Sequence, residues 1–422
     1  MKIGIIGAGV AGLTTAWMLS EEHEVTLIEK QDRLGGHANT VEVGHQGERI
    51  AIDAGAEFFS KKAFPHFHRL LSILNVPTRS YPMSATLYST DHRHVTMMPP
   101  VKNGRVVWSM LGPRQLSNLL QFQKVLKRAQ PLMDARDTST TIDEYLRSLR
   151  IGKDFLKNFM YPFLQSGWCI GLEDYKQFIA YDVLQFAYNH QPTGLRSVKW
   201  SEVVGGMSTY VRELEKRLTS VQIEKGSGVS AITMEGETYQ VQLASGKKLA
   251  FDQLILATNA KDARGLLTHL PWTGPIRQIL GGVDYFKTII AVHADPALMP
   301  ANKKYWSVVN MRYDGKQAHT TIWKSWKSAN PLFRSWVTYE SRLPNHLFTT
   351  VEYDHPKTNR NYFQAQEALA KVQGKRGLWF AGMHTHDVET HESAIISAIK
   401  IARELAPDSV AFKKITLEKD AG

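Results

Sequence analysis

Residues Lys2-Ile3-Gly4-Ile5-Ile6-Gly7-Ala8-Gly9-Val10-Ala11-Gly12 join a short apolar run to a G-x-G-x-x-G turn. The run reads as a buried parallel strand, Gly12 to Ser20 as a helix, and Glu24 to Glu29 as a second strand. The glycine spacing alone is a weak signal. A strand before it, a helix after it and an acid about twenty residues on make it the dinucleotide fingerprint of a Rossmann-type βαβ unit. Gly7 permits the tight turn, Gly9 lets a pyrophosphate approach the backbone, and Gly12 lets helix and strand pack closely. With Ala8, Val10 and Ala11 between them, they open a helix whose N-terminus offers N–H groups and a positive dipole end to phosphates. Glu29, with Lys30 beside it, is placed to accept from the adenosine ribose hydroxyls. The motif itself serves NAD and FAD alike.

A chain of 422 residues has room for two domains, each with its own core. Its 43% hydrophobic and 22% charged residues are those of an ordinary globular protein. The sole cysteine, Cys169, excludes an internal disulfide, a CxxC redox pair and a cysteine-based zinc site, and reads as a small buried hydrophobe. Met1 to Trp17 starts basic and apolar, as a signal peptide does, but cleavage there would remove the fingerprint. No apolar run approaches the roughly 20 residues of a membrane span. The expectation is a cytoplasmic protein. Its net charge of +11 comes from scattered lysine and arginine without basic–aromatic interleaving, which argues against nucleic acid as a partner. Peripheral contact with an anionic membrane surface stays open, as does an acidic substrate. The oligomeric state is not legible.

Beyond the βαβ unit the texture changes. From about Phe64 to Tyr188 it reads as helix: Phe67, Leu70, Leu71 and Leu74 share one face, as do Leu116, Leu119, Leu120 and Phe122. Ile223 to Thr258 reads as strands, with Tyr239 to Leu243 alternating and Leu249 to Ala257 continuously apolar. Tyr285 to Tyr353 has the aromatic- and threonine-rich texture of antiparallel strands. Gly377 to Phe380 is a short buried strand and Glu392 to Leu405 a long helix, and the tail after Pro407 is expected to be loosely held.

After Glu29, residues Arg33, Gly35, Gly36, His37 and Thr40 resemble the R-x-G-G-R-x-x-T run of the flavin-containing amine oxidases, phytoene desaturases and their relatives, with His37 replacing the second arginine. The resemblance implies FAD, and a sole cysteine far from the C-terminal flavin segment implies that it is held without a covalent bond. Ile52-Asp53-Ala54-Gly55 resembles the family's glycine turn beside the isoalloxazine. Gly228 to Ile232 is similar to the strand whose valine, here Val229, holds the adenine, and Leu256-Ala257-Thr258 to the end of its D-x-V-I-x-A-T strand. Phe380-Ala381-Gly382 resembles its C-terminal F-A-G, with Met383 where an acid often stands. His391-Glu392-Ser393-Ala394-Ile395 would then set a helix N-terminus at the flavin N1/C2=O edge, where its dipole favours the negative charge of reduced flavin. A narrower resemblance is to bacterial NAD/FAD-binding oxidoreductases associated with cyclopropane fatty acid synthases. It is carried by Tyr188-Asn189-His190, Val204-Gly205-Gly206, Thr209-Tyr210-Val211, His293-Ala294-Asp295 and Val337-Thr338-Tyr339. It implies a flavoprotein acting near lipid metabolism.

The fold class expected is α/β. Residues 1–60, 200–270 and 360–406 would form a discontinuous Rossmann-type FAD-binding domain, 61–199 and 271–359 an α+β substrate or cap domain, and 407–422 a tail. The expected reaction is hydride abstraction from a C–H bond of an amine or of a hydrophobic acyl or polyene substrate. The alternative is a non-redox, FAD-dependent double-bond isomerase acting on a lipid. Lys287, in Tyr285-Phe286-Lys287-Thr288, lines up with the strand lysine that holds a water beside flavin N5 in amine oxidases, and is the candidate catalytic residue. Trp168, Tyr181, Trp200, Tyr305, Trp306, Trp323 and Trp326 supply aromatic surface from which an amine-steering cage could be built. His384, His386 and His391 lack a matching carboxylate pattern, so no metal is expected. A disulfide reductase is disfavoured by the missing cysteine pair and the missing second G-x-G-x-x-G.

Overall fold

The computed structural model describes residues 1–102, 105–189 and 199–416. The first apolar run is a strand, Lys2–Ile6 (β1), in which Ile3 and Ile5 are wholly buried. Burial on both faces marks a central strand of a parallel sheet. Glu24–Ile28 (β2) pairs with it on one side, and Gln222–Glu224 (β3) lies beyond β2. Gln253–Leu256 (β4) and Leu378–Phe380 (β5) extend the other side. The order is β3-β2-β1-β4-β5, all parallel, so one sheet gathers strands from widely separated parts of the chain.

The helices that position the site are Val10–Leu19 (α1), Pro65–Ile73 (α2), Pro113–Arg128 (α3), His391–Leu405 (α4) and Val410–Ile415 (α5). Every residue of α1 is buried. It shares one apolar core with β1, β2, α2 and α4, built from side chains such as Ile3, Leu13, Leu27, Phe67, Leu70 and Ile399. The sheet's other face is closed by a meander of Val229–Glu235, Thr238–Leu243 and Lys248–Phe251, whose Tyr239 and Val241 share a core with Leu254 and Leu256.

A second sheet of seven strands carries the rest. Its order is Leu347–Pro356, Tyr285–His293, Phe333–Trp336, Ala318–Trp323, Val309–Tyr313, Ala85–Ser89 and Val95–Met98. Here the structure corrects the reading of 64–188 as helical. Ala85–Ser89 is a strand because it pairs in parallel with Val309–Tyr313, and Val95–Met98 folds back on it. A long-range pairing of this kind leaves no local periodic trace. Up to residue 416 the tail is corrected too: Ser409 caps α5 through a hydroxyl that accepts from Phe412 N at 3.3 Å, and Ala411, Phe412 and Ile415 are buried in the core of α1 and α2. His190, part of the narrower resemblance, lies outside the described residues.

Candidate functional site

A cavity of about 2740 Å³ is lined from both sheets. One end is walled by backbone. Gly7 has φ +102°, and a Cβ there would meet the Ala257 carbonyl oxygen at 2.6 Å. At Gly12 a Cβ would stand 1.9 Å from the Gly7 oxygen, so the turn and α1 can close only around glycine. Gly9 is different: its Cβ would meet nothing within 4 Å and would stand in the open cavity. The second glycine pair lies against the first, with Gly35 N donating to Ala8 O at 2.8 Å and the Gly36 Cβ position 3.2 Å from Gly9 Cα. α1 has Gly9 as its N-cap and no side-chain cap, leaving its first N–H groups to the cavity.

The residues around this wall fit a dinucleotide. Arg33 Nη2 donates to the Gly36 carbonyl at 3.0 Å, while its buried Nη1 has no partner. His37 stacks on Tyr353 at 4.6 Å with its Nε2 unpartnered. Burial, then the neighbouring His355, His391 and Arg33, pull His37 down to about 3, so it is neutral and does not replace the charge of the family's second arginine. Glu29 accepts from Ala8 N at 2.8 Å and Gln31 N at 2.9 Å, and its carboxylate keeps lone pairs for ribose hydroxyls. Val229, Ala257, Thr258, Gly55, Gly382 and Met383 all line the cavity. Gly382 has φ +130°, and its N–H is held by Ser397 Oγ at 2.8 Å. Buried donors without partners, facing a backbone cradle that side chains would fill, are what a diphosphate-bearing ligand requires.

Several expected residues do other work. Ala8 and Gly12 shape the turn and are not cavity wall. Lys30 reaches the rim but pairs with Asp262 at 3.1 Å. Ile395 points into the α1–α4 core, and Ile396, one helical step round, lines the cavity instead. Glu392 lines the cavity, and its carboxylate also accepts from His66 N and Phe67 N at 2.9 and 3.0 Å and meets His66 Nδ1 at 2.6 Å, so it caps α2. His391 lines the cavity, its Nε2 lying 2.9 Å from the Tyr210 hydroxyl, and Thr390 caps α4 by accepting from Ser393 N at 3.1 Å. His293, part of the narrower resemblance, is wholly buried against Ser335 and Phe333, away from the cavity.

The Lys287 expectation is contradicted. Alternation along Tyr285–His293 buries Thr288 and turns Lys287 outward, 59% exposed and paired with Glu352 at 2.7 Å. Of the aromatics, Trp168, Trp200, Trp306 and Trp323 line the cavity; Tyr181, Tyr305 and Trp326 do not.

Chemistry-bearing residues that the sequence did not flag stand at the cavity instead. Glu57 and Arg334 line it and pair at 3.3 Å, and the wholly buried Lys324 meets the other Glu57 oxygen. Burial pulls Lys324 down to about 8 against the upward push of Glu57. Asp182 lines the cavity, accepts from Thr358 Oγ1, and is pushed by burial up to about 8. His355 Nδ1 meets Glu389 at 2.5 Å; burial lowers His355, and Glu389 more than offsets it, leaving its pKa raised. The far wall is apolar, with Met97, Phe122, Phe159, Phe163, Trp168 and Met311.

Residues 10–295 match the family described as flavin containing amine oxidoreductase. Coproporphyrinogen III oxidase of Bacillus subtilis (strain 168) is 24% identical over 301 residues, covering 63% of this chain and 62% of that protein. The chain thus spans less than two thirds of that curated relative's length. Among solved structures, the CLA-producing fatty acid isomerase from P. acnes superposes with TM-score 0.68 at 12% identity, over 96% of this chain and 98% of that one. Cyclohexylamine oxidase from Brevibacterium oxydans IH-35A gives 0.66 at 14%, over 96% and 99%. These two likenesses show a shared fold.

Proposed function

The chain belongs to the flavin-containing amine oxidoreductases, whose cofactor is FAD, and on that premise we propose an FAD-dependent oxidoreductase that takes hydride from a C–H bond of a hydrophobic acyl or polyene substrate. The observation that carries this is the continuity of the cradle with an apolar chamber in one cavity of about 2740 Å³. Ordinary ligand pockets span roughly 300–1,000 Å³. There is room for a dinucleotide and a second large molecule together. Bound FAD supplies a two-electron acceptor for the hydride leaving the substrate carbon.

An amine is the other substrate class the family name suggests, and the charges weigh against it. A cationic amine drawn into the chamber needs a spare anion: Glu29 belongs to the cradle, Glu392 holds His66 and Phe67, and the other lining carboxylates are engaged. Asp262 is met by Lys30, Glu352 by Lys287, Asp354 by Lys261 and Asp387 by Arg136. Glu389 holds His355, Glu57 holds Lys324 and Arg334, and Asp182 is protonated at neutral pH. With Nδ1 on Glu389, His355 keeps Nε2 as the atom that can exchange a proton. The narrower resemblance to bacterial oxidoreductases associated with cyclopropane fatty acid synthases supports a lipid substrate. The same chamber suits a second reading, a non-redox flavin-dependent double-bond isomerase acting on a lipid.

An anaerobic screen of flavin absorbance against unsaturated acyl lipids, primary amines and NADPH tests the proposal. Bleaching by an acyl lipid is expected. Bleaching by amines alone overturns the substrate class, and lipid conversion without net electron transfer to oxygen or a quinone favours the isomerase.

A further inference from the structure

Helix α3 is apolar on two sides. Phe122, Val125 and Leu126 pack inward, whereas Leu116, Leu119 and Leu120 turn outward and are 56%, 51% and 58% exposed. The spacing i, i+3, i+4 makes the outer three one stripe. Just before it, Trp108 is 78% exposed, with Val106 and Leu111 also open to solvent. Nearly half of the large apolar side chains exposed among the described residues lie between positions 106 and 120. Single exposed apolar residues are ordinary; a concentration of this kind marks an interaction surface. Leu111, Leu116 and Leu119 also line the large cavity, so the patch borders its mouth.

Charge is sorted on the same face. Between Asp91 and Asp134 the chain has no acidic residue, and seven of the residues there are lysine or arginine. Lys127 and Arg128 end α3 exposed, and Arg105 stands exposed beside Val106. Lys102 Nζ donates to the Lys303 carbonyl, which brings the exposed Lys303 and Lys304 to the same segment. No described helix is long and apolar enough to cross a membrane, so any bilayer contact through this helix is interfacial.

We propose that this face seats on an anionic phospholipid bilayer. Trp108 and the α3 leucines enter the headgroup–acyl boundary, and the basic side chains lie among the phosphates. The stretch that carries the patch is basic and free of acid between Asp91 and Asp134, which complements anionic lipid, and the carboxylate brought to the start of α3, Asp154, is paired with Arg114 at 2.9 Å. Seated in this way, the cavity mouth meets the phase in which apolar molecules dissolve, and the docking stands whichever substrate reading holds.

The test is co-sedimentation of FAD-loaded protein with vesicles of phosphatidylcholine alone, and of phosphatidylcholine with phosphatidylglycerol at roughly 3:1. Two variants are compared: Trp108→Ser/Leu120→Gln, at positions that do not line the cavity, and Lys127→Gln/Arg128→Gln. Wild type should pellet with the anionic vesicles and stay largely in solution with the zwitterionic ones. The apolar variant should lose at least about tenfold in partitioning, and added salt should weaken the wild type. Far-UV circular dichroism and bound-flavin absorbance equal to wild type separate lost docking from lost folding. If the double variant fails that check, Trp108→Ser alone replaces it. Wild type that ignores both vesicles, equal pelleting with both, or unchanged binding of either variant overturns the proposal. A concentration-dependent dimer abolished by the apolar substitutions also overturns it, by giving the face to a second copy of the chain.

Discussion

Replacing Gly9 by alanine separates the cofactor's needs from those of the fold. Gly9 has φ −69° and ψ −178°, a backbone conformation open to any residue, so alanine brings no strain there. Its Cβ would meet no protein atom within 4 Å. Without FAD the variant should therefore be about as stable as wild type. The roughly 0.5–1.5 kcal/mol lost because alanine is a poorer N-cap is largely offset by about 0.4–1 kcal/mol from lower unfolded-chain entropy. With FAD the methyl occupies space at the helix N-terminus where a pyrophosphate must approach. Overfilling a close-packed contact costs about 1–3 kcal/mol, and 1.4 kcal/mol is tenfold, so the dissociation constant should rise roughly 5- to 150-fold. Gly12→Ala is the contrasting control: its Cβ falls 1.9 Å from the Gly7 oxygen, so the apoprotein itself should be destabilised. Thermal melts of the two apoproteins and FAD titrations followed by flavin fluorescence make the comparison. Wild-type FAD affinity in Gly9→Ala would falsify the placement of the pyrophosphate, and an unstable Gly9→Ala apoprotein would show the cradle geometry to be wrong.

Glu29→Ala should weaken FAD by roughly 1–3 kcal/mol through lost ribose contacts, and should also lower the apoprotein melting temperature, since Ala8 N and Gln31 N lose their acceptor. Lys287→Met should leave flavin reduction and reoxidation rates unchanged in stopped flow, because the ammonium faces solvent and Glu352; a slowing of either by tenfold or more (roughly the least that losing a positioned proton-transfer group costs) would reinstate it. Asp182 has its folded pKa raised from 3.8 to about 8, so the folded state binds the extra proton and the stabilising contribution is lost as pH rises through that window. Stability should fall from pH 4 to 8 more in wild type than in Asp182→Asn, by on the order of a few kcal/mol, read as a steeper drop in melting temperature; parallel pH profiles would mean that Asp182 is ionised in the native state. Acid precipitation should release yellow FAD into the supernatant, and colour held in the pellet would mean a covalent link.

The cradle was legible because its cause is local. Gly7, Gly9 and Gly12 are dictated by sterics within a few residues and by one helix N-terminus, and the strand–turn–helix period on either side is readable in a single window. The C-terminal segment was legible only as a segment. Once α4 is built, a one-residue step of 100° decides that Ile396 faces the cavity and Ile395 the core, and no pattern in His391 to Leu405 marks that phase. Glu392 was legible only in part for a related reason: it lines the cavity, but a carboxylate at a helix start serves a ligand or a neighbouring helix equally well, and the arrival of α2 gives its oxygens to His66 and Phe67. Lys287 failed on alternation, since a resemblance in position along a strand says nothing of which face the residue takes unless the register is known.

The polar residues at the cavity were beyond sequence reading, because each owes its character to a partner far along the chain. Lys324 and Glu57 are 267 residues apart, Asp182 and Thr358 are 176 apart, and neither pair belongs to any short motif. Helix α3 shows the complementary difficulty. Leu116, Leu119, Leu120 and Phe122 were grouped on one face, yet at 100° per residue Phe122 stands across the helix from Leu120, and apolar residues occupy both sides. A helix apolar all round is ordinarily a buried one. Here its outer stripe is exposed among the described residues, and the acid-free stretch between Asp91 and Asp134 gives that stripe a basic frame. Stability alone favours neither feature, because exposed leucines gain nothing from folding and like charges in one stretch repel. Both are explained together when the surface that completes the burial is an anionic one outside the protein.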